Sequence, residues 1–305
     1  MLKTSIIACT RRLKIRWFKK DSQNVPNNTN NNWQPYGESH AIDAMAMGIS
    51  FAQPLPQLLF ARLLSGVERV AFDLGLNSRH TIGPESIQFQ QPLPPEIVMN
   101  YQGRTYNAMA SNEDDAPANK VTEQLQFLPN SILYRTWRYV SWSWHKKRME
   151  SLIRPVIDAI SETVLINSLR LEYLDRFHQK SNAAPDTRTL IKQSCPYVSP
   201  YAFDATDMWH CHTGSFIEKN TRWKRLKLVN IDVIDEAPTP PESIPVRWTN
   251  ITTALEDRFE IRRIEDYSIT STYVLDTLDV LHDQLKLILA EIITDNIAKR
   301  IYLTQ

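Results

Sequence analysis

The 305-residue sequence is poor in glycine: it holds seven, where average usage of about 7% would give about twenty. Loops that cradle phosphate and dinucleotide fingerprints need glycine at fixed offsets. No two of Gly37, Gly48, Gly66, Gly75, Gly83, Gly103 and Gly214 stand in a G-x-G arrangement, so those fingerprints are excluded. Cysteine is scarcer still. Cys9, Cys195 and Cys211 form an odd set without a C-x-x-C pair, which argues against a disulfide framework and for a reducing compartment. No apolar run approaches the ~18–20 residues that a membrane span needs; the longest, Leu285 to Ile293, is interrupted by Lys286 and Glu291. Neither sign of charge dominates, with 35 basic and 34 acidic side chains. That balance argues against a chain driven to polyanions as a whole and leaves room for a local patch. The expectation is a soluble cytoplasmic protein with no cofactor.

What is present is a substantial apolar stock, 42% of residues, enough for a large core. The first segment differs from the rest. Arg11, Arg12, Lys14, Arg16, Trp17, Lys19 and Lys20 form a basic cluster, and an asparagine-rich run from Asn27 to Asn32 follows it. Residues 1–46 therefore read as a disordered extension, with a transit peptide or a nucleic-acid arm as alternatives. Residues 47–165 and 166–305 read as two similar halves, each of strands followed by a long amphipathic helix. The fold class expected is α+β with a mostly antiparallel sheet.

Periodicity supplies the elements. Pro54 to Ser65 suits a short helix ending at Gly66, and Val70, Phe72, Leu74 and Leu76 alternate as in a half-buried strand. Hairpins are expected around Gly103, pairing Ile97–Tyr101 with Thr105–Met109, and around Pro129-Asn130, pairing Leu125–Phe127 with Ile132–Tyr134. The polar stretch Ser111 to Asn119 reads as a loop between them. A helix follows over about Ser143 to Thr163, kinked by Pro155. Strands are expected near Leu169–Leu174, Thr213–Ile217 and Leu226–Ile234, with a loop over Asn182–Asp207 and a turn at Ala237–Pro241. Val274, Leu278, Leu281, Leu285, Ile288 and Ile292 recur in steps of four and three, the stripe of an amphipathic helix, and Thr294 stands where it can cap a last one.

Four pieces carry a family resemblance: Tyr134-Arg135-Thr136-Trp137-Arg138 with Tyr139 and Trp142, Leu169 to Phe177, Trp209-His210-Cys211-His212-Thr213-Gly214, and Leu278-Asp279-Val280-Leu281-His282 with Ile293-Thr294. Over about residues 125–300 the chain resembles a sporadically distributed family of uncharacterised bacterial α+β proteins. The resemblance implies no catalytic residue. The family's patchy occurrence suits an accessory or defence system.

Two constellations remain. His210 and His212 are one strand period apart and would share a face, with Cys211 turned away; with Cys195 they are the only soft-ligand cluster, short of the paired spacing of a structural zinc site. The other is an aromatic and basic band: Arg135, Trp137, Arg138, Trp142, Trp144, Lys146, Lys147 and Arg148, joined by Trp223 and Arg225. Tryptophan beside arginine suits a protein interface and also single-stranded nucleic acid. The reading is a binding or interaction module without recognisable catalytic chemistry, with a protein partner or self-association. Nucleic-acid binding and a hydrolase with its site near His210 and His212 are the alternatives.

Overall fold

A computed structural model describes residues 33–82, 103–110, 120–180, 186–220, 223–236, 246–260 and 269–303. Ten strands are joined in one sheet: β1 (Gln34–Pro35), β2 (Ile42–Phe51), β3 (Ser78–Ile82), β4 (Gly103–Met109), β5 (Val121–Leu128), β6 (Ser131–Thr136), β7 (Ile166–Lys180), β8 (Trp209–Asn220), β9 (Trp223–Glu236) and β10 (Val246–Phe259). Their order is β3-β4-β5-β6-β2-β7-β10-β9-β8, with β1 paired to the end of β7. Every pair is antiparallel. Four α-helices accompany them among the described residues: α1 (Gln57–Asp73), α2 (Trp142–Ile160), α3 (Ser271–Ile292) and the short α4 (Asp295–Arg300). The α+β class with an antiparallel sheet is therefore observed.

Alternation along the strands divides the sheet into two unlike faces. On β2, Met45, Met47, Ile49 and Phe51 are buried, while Ala44, Ala46, Gly48 and Ser50 point the other way. The buried face takes all three long helices. Phe60 of α1 stacks on Phe127 of β5 at 4.9 Å, His145 of α2 meets Tyr134 of β6, and His282 of α3 meets Tyr173 of β7. Residues 195–203 lie on the same side, where Tyr197 accepts from Cys211 and Thr213 of β8 through its backbone carbonyl. Burial of Leu278, Leu281, Leu285 and Ile292 against this face is what fixes α3.

Several expectations are corrected. Residues 33–46 belong to the fold: Trp33 and Ala41 are buried and β2 starts at Ile42. The basic cluster lies outside the described residues. Residues 32–305 form one compact unit, and one sheet takes strands from both 47–165 and 166–305. Val70 to Leu76 is not a strand, because α1 runs through Gly66 to Asp73. Its actual end is a left-handed glycine, Gly75 at φ 86°. The Gly75 amide donates to Phe72 and the Leu76 amide to Ala71, both at 2.9 Å, a Schellman motif whose following residue, Leu76, is buried. The apparent period of two was the tail of a helix plus this buried residue. β4 begins at Gly103 and pairs with β3 and β5; its expected partner Ile97–Tyr101, the loop Ser111–Asn119 and the turn Ala237–Pro241 lie outside the described residues. The Pro129-Asn130 hairpin is β5–β6. Thr294 precedes α4 but makes no capping bond, its hydroxyl donating to the Thr189 carbonyl instead.

Candidate interaction face

The other face of the sheet carries none of the long helices among the described residues, and its centre is lined with small side chains. Across the middle row, Arg135 of β6 stands opposite Ala46 of β2, Ala46 opposite Glu172 of β7, and Glu172 opposite Ala254 of β10. Small side chains on β2 leave a trough of about 280 Å³, floored by Ala44, Ala46, Leu174 and Thr252 and walled by Arg135, Trp137 and Glu172. Trp137 is 36% exposed, held at the end of β6 by its amide, which donates to the Thr122 carbonyl. Arg135 is exposed and has no ion pair among the described residues. Glu172 is bound at 2.5 Å by Arg170, which also reaches Glu256. A free guanidinium, an exposed indole and an apolar floor are groups for recognition; no histidine, cysteine or serine lines this trough.

The rest of the band is dispersed. Trp142 lies flat on His282 at 4.5 Å and donates to Asp279 at 2.8 Å, and Lys146 pairs with the same aspartate. Arg148 passes over Trp144 at 4.5 Å and holds Glu123 through two bonds of 2.7 Å. Arg225 is buried, gripping Asp257 at 2.5 and 2.7 Å with Gln284 as a further acceptor, and Trp223 is half-buried beside it. Arg138, Trp144 and Lys147 are exposed near the start of α2. The structure thus brings Arg135 and Trp137 together at one trough, which no other residue of the band lines.

His210 and His212 share one face of β8, as their spacing requires, with ring centroids 5.4 Å apart. Asp232 of β9 stands opposite His210, 3.4 Å from His212 Nε2. Cys195 is not with them: it is buried on the helix side, where burial raises its thiol pKa. Among the described residues no three histidine, cysteine or acidic side chains are grouped to hold a metal ion.

Beneath the helices lies a buried polar network. Tyr134 donates to Glu123 at 2.7 Å, and its oxygen is 3.0 Å from His145 Nδ1. The Val140 amide donates to His145 Nε2, which fixes a neutral ring with its proton on Nδ1. Burial first, and Arg148 second, lower the His145 pKa to about 4. His282 is lowered to about 4 as well, mainly by burial and then by Lys286. Asp175 of β7 is pushed up to about 7 by burial alone.

One grouping was absent from the sequence reading: Arg176 of β7 lies 4.2 Å over Trp248 of β10 and 5.6 Å from Tyr36, and is bonded to Asp43 and Asn250. Only the alternation of β10 places Trp248 on this face, and the polar residues at its buried positions, Thr249, Thr253 and Asp257, hide that alternation.

No protein-family model, curated protein or solved structure matches this chain.

Proposed function

We propose that this chain is a soluble protein-binding module and that its partner docks on the helix-free sheet face at the trough between Arg135 and Trp137. The carrying observation is that an exposed tryptophan and an arginine with no ion pair among the described residues flank an apolar floor on the face that the described helices leave uncovered. Tryptophan and arginine are the side chains that most often anchor such contacts. The chemistry offered selects a partner with a carboxylate for Arg135 and an apolar or planar group for Trp137. The resemblance noted above supports a bacterial accessory or defence setting in the cytoplasm.

The nucleic-acid reading is weaker because Lys146, Arg148 and Arg225 are each engaged by a carboxylate. The topology also supports the view that the sheet joins two similar halves. β2 pairs with β6 before α2, and β7 pairs with β10 before α3. In each the first strand meets the last and a helix follows.

The test is copurification from the native host with the tagged full chain, comparing Arg135→Glu and Trp137→Ala with Lys147→Glu. The proposal expects a stoichiometric protein partner that survives the Lys147 change and is lost from the other two. A partner retained by all three variants overturns it. So does a wild-type chain that binds single-stranded oligonucleotide with steep salt dependence, the mark of phosphate contacts.

A further inference from the structure

The sheet ends on β8, and among the described residues β8 pairs with β9 alone. Its outer edge therefore carries a row of backbone donors and acceptors beside which no other described strand lies. Proteins guard such edges with charge, proline or brevity. The opposite edge, β3, is five residues long and carries Arg79. β8 is twelve residues long, and from Trp209 to Phe216 it reads Trp-His-Cys-His-Thr-Gly-Ser-Phe, with no lysine, arginine, acidic residue or proline. Met208, just before this run, and Phe216, at its end, are 57% and 58% exposed.

Against this uncharged part of β8 is a cavity of about 270 Å³, lined by Pro196, Tyr197, Thr213, Gly214, Ser215 and Lys227. Three of these belong to β8 itself. Lys227 Nζ stands 4.7 Å from the Tyr197 ring and 3.2 Å from its hydroxyl. The nearby Glu291 is taken by that hydroxyl at 2.6 Å, and Lys227 pairs with no carboxylate among the described residues. A cation with no carboxylate partner among the described residues thus stands in a cavity that β8, the last described strand of the sheet, helps to line.

We infer that β8 is a strand-addition site for an extended acidic segment of a partner protein, with one carboxylate side chain entering the cavity to meet Lys227. Strand addition takes affinity from the main chain and specificity from pockets that accept alternate side chains. Thr213, Ser215 and Lys227 share the helix-side face through the register Thr213–Val229 and Ser215–Lys227. An incoming strand therefore presents every second side chain on the face that holds this cavity. The charge selects glutamate or aspartate there. This inference is independent of the Arg135–Trp137 trough, which lies on the opposite face and several strands away.

The probe is a capped peptide of alternating threonine and valine with one central glutamate, and the same peptide with glutamine in its place. Backbone amide exchange and titration are followed on the full chain. The expected result is slowed exchange over residues 209–216 on adding the glutamate peptide. It binds about tenfold more tightly than the glutamine peptide, the usual gap between a charged and a neutral acceptor. Lys227→Met makes the two peptides equal. Exchange that the peptide leaves unchanged over 209–216 overturns the inference, as do equal affinities of the two peptides for the wild-type chain. Protection of these amides before any peptide is added, in a species of dimer mass, also overturns it by giving the edge to a second copy. The peptide comparison uses the wild-type chain, so it stands even where the Lys227 variant fails to fold.

Discussion

Asp175 is 2% exposed, and one of its carboxylate oxygens has no hydrogen-bond partner. Burial raises its pKa to about 7, far above the ~3.9 of an unfolded aspartate. The unfolded chain therefore gives up this proton at lower pH than the folded one. The contribution of Asp175 is fully present below pH ~4 and is lost as the pH climbs to about 7, a cost on the order of 4 kcal/mol. Asp175→Asn should accordingly gain on the wild type between pH 5 and pH 8 in urea unfolding; parallel pH profiles for the two would contradict this. His145 and His282 act with the opposite sign. Their pKa values fall to about 4 in the folded chain, so stability present above pH ~6.5 is lost as the pH drops toward 4. Glu123→Ala should cost about 3–5 kcal/mol, because it strands the Arg148 guanidinium that Glu123 holds at 14% and 8% side-chain exposure. Residue types alone did not separate Arg148 from Arg135: both stand in the same basic run, and only a partner 25 residues away, on β5, takes Arg148 out of it.

At the scale of elements, the two glycines of α1 and its end should respond oppositely to alanine. Gly66 lies in mid-helix with nothing within 4 Å of an added Cβ, so Gly66→Ala should stabilise by about 1 kcal/mol. Gly75 sits at φ 86°, and Gly75→Ala should destabilise by about 1–2 kcal/mol. Thermal unfolding of the two variants checks both signs. Leu278, fully buried under α3, should cost about 2–5 kcal/mol as Leu278→Ala. The sequence was most legible where one period ran long, as in α3, whose stripe names the side chains that are buried. It was least legible in β2 and β10. On β2 the outward positions are Ala44, Ala46 and Gly48, so small apolar residues blur the alternation. On β10 the buried face carries Thr249, Thr253 and Asp257, polar groups that do not read as a core. The trough is built on that same small-residue face of β2, which is why Arg135 and Trp137 were visible as candidates while the floor between them was not.

For the whole molecule, the division of the sheet decides what is left to bind. Its helix-covered face takes up most of the aromatic and basic band into internal ion pairs and stacks, and the chain's +1 net charge gives no field to draw in a polyanion. On the other face, among the described residues, the trough presents Arg135 without an ion pair and the exposed Trp137 indole over small side chains. The most direct measurement is site-specific photo-cross-linking in the native host, with a benzophenone amino acid at Thr252 on the trough floor and, in a second chain, at the 88%-exposed Leu58 on α1. Both positions leave Arg135 and Trp137 intact. The account predicts one discrete protein adduct from position 252 and none from position 58. The same adduct from both positions, or none from position 252, would contradict it.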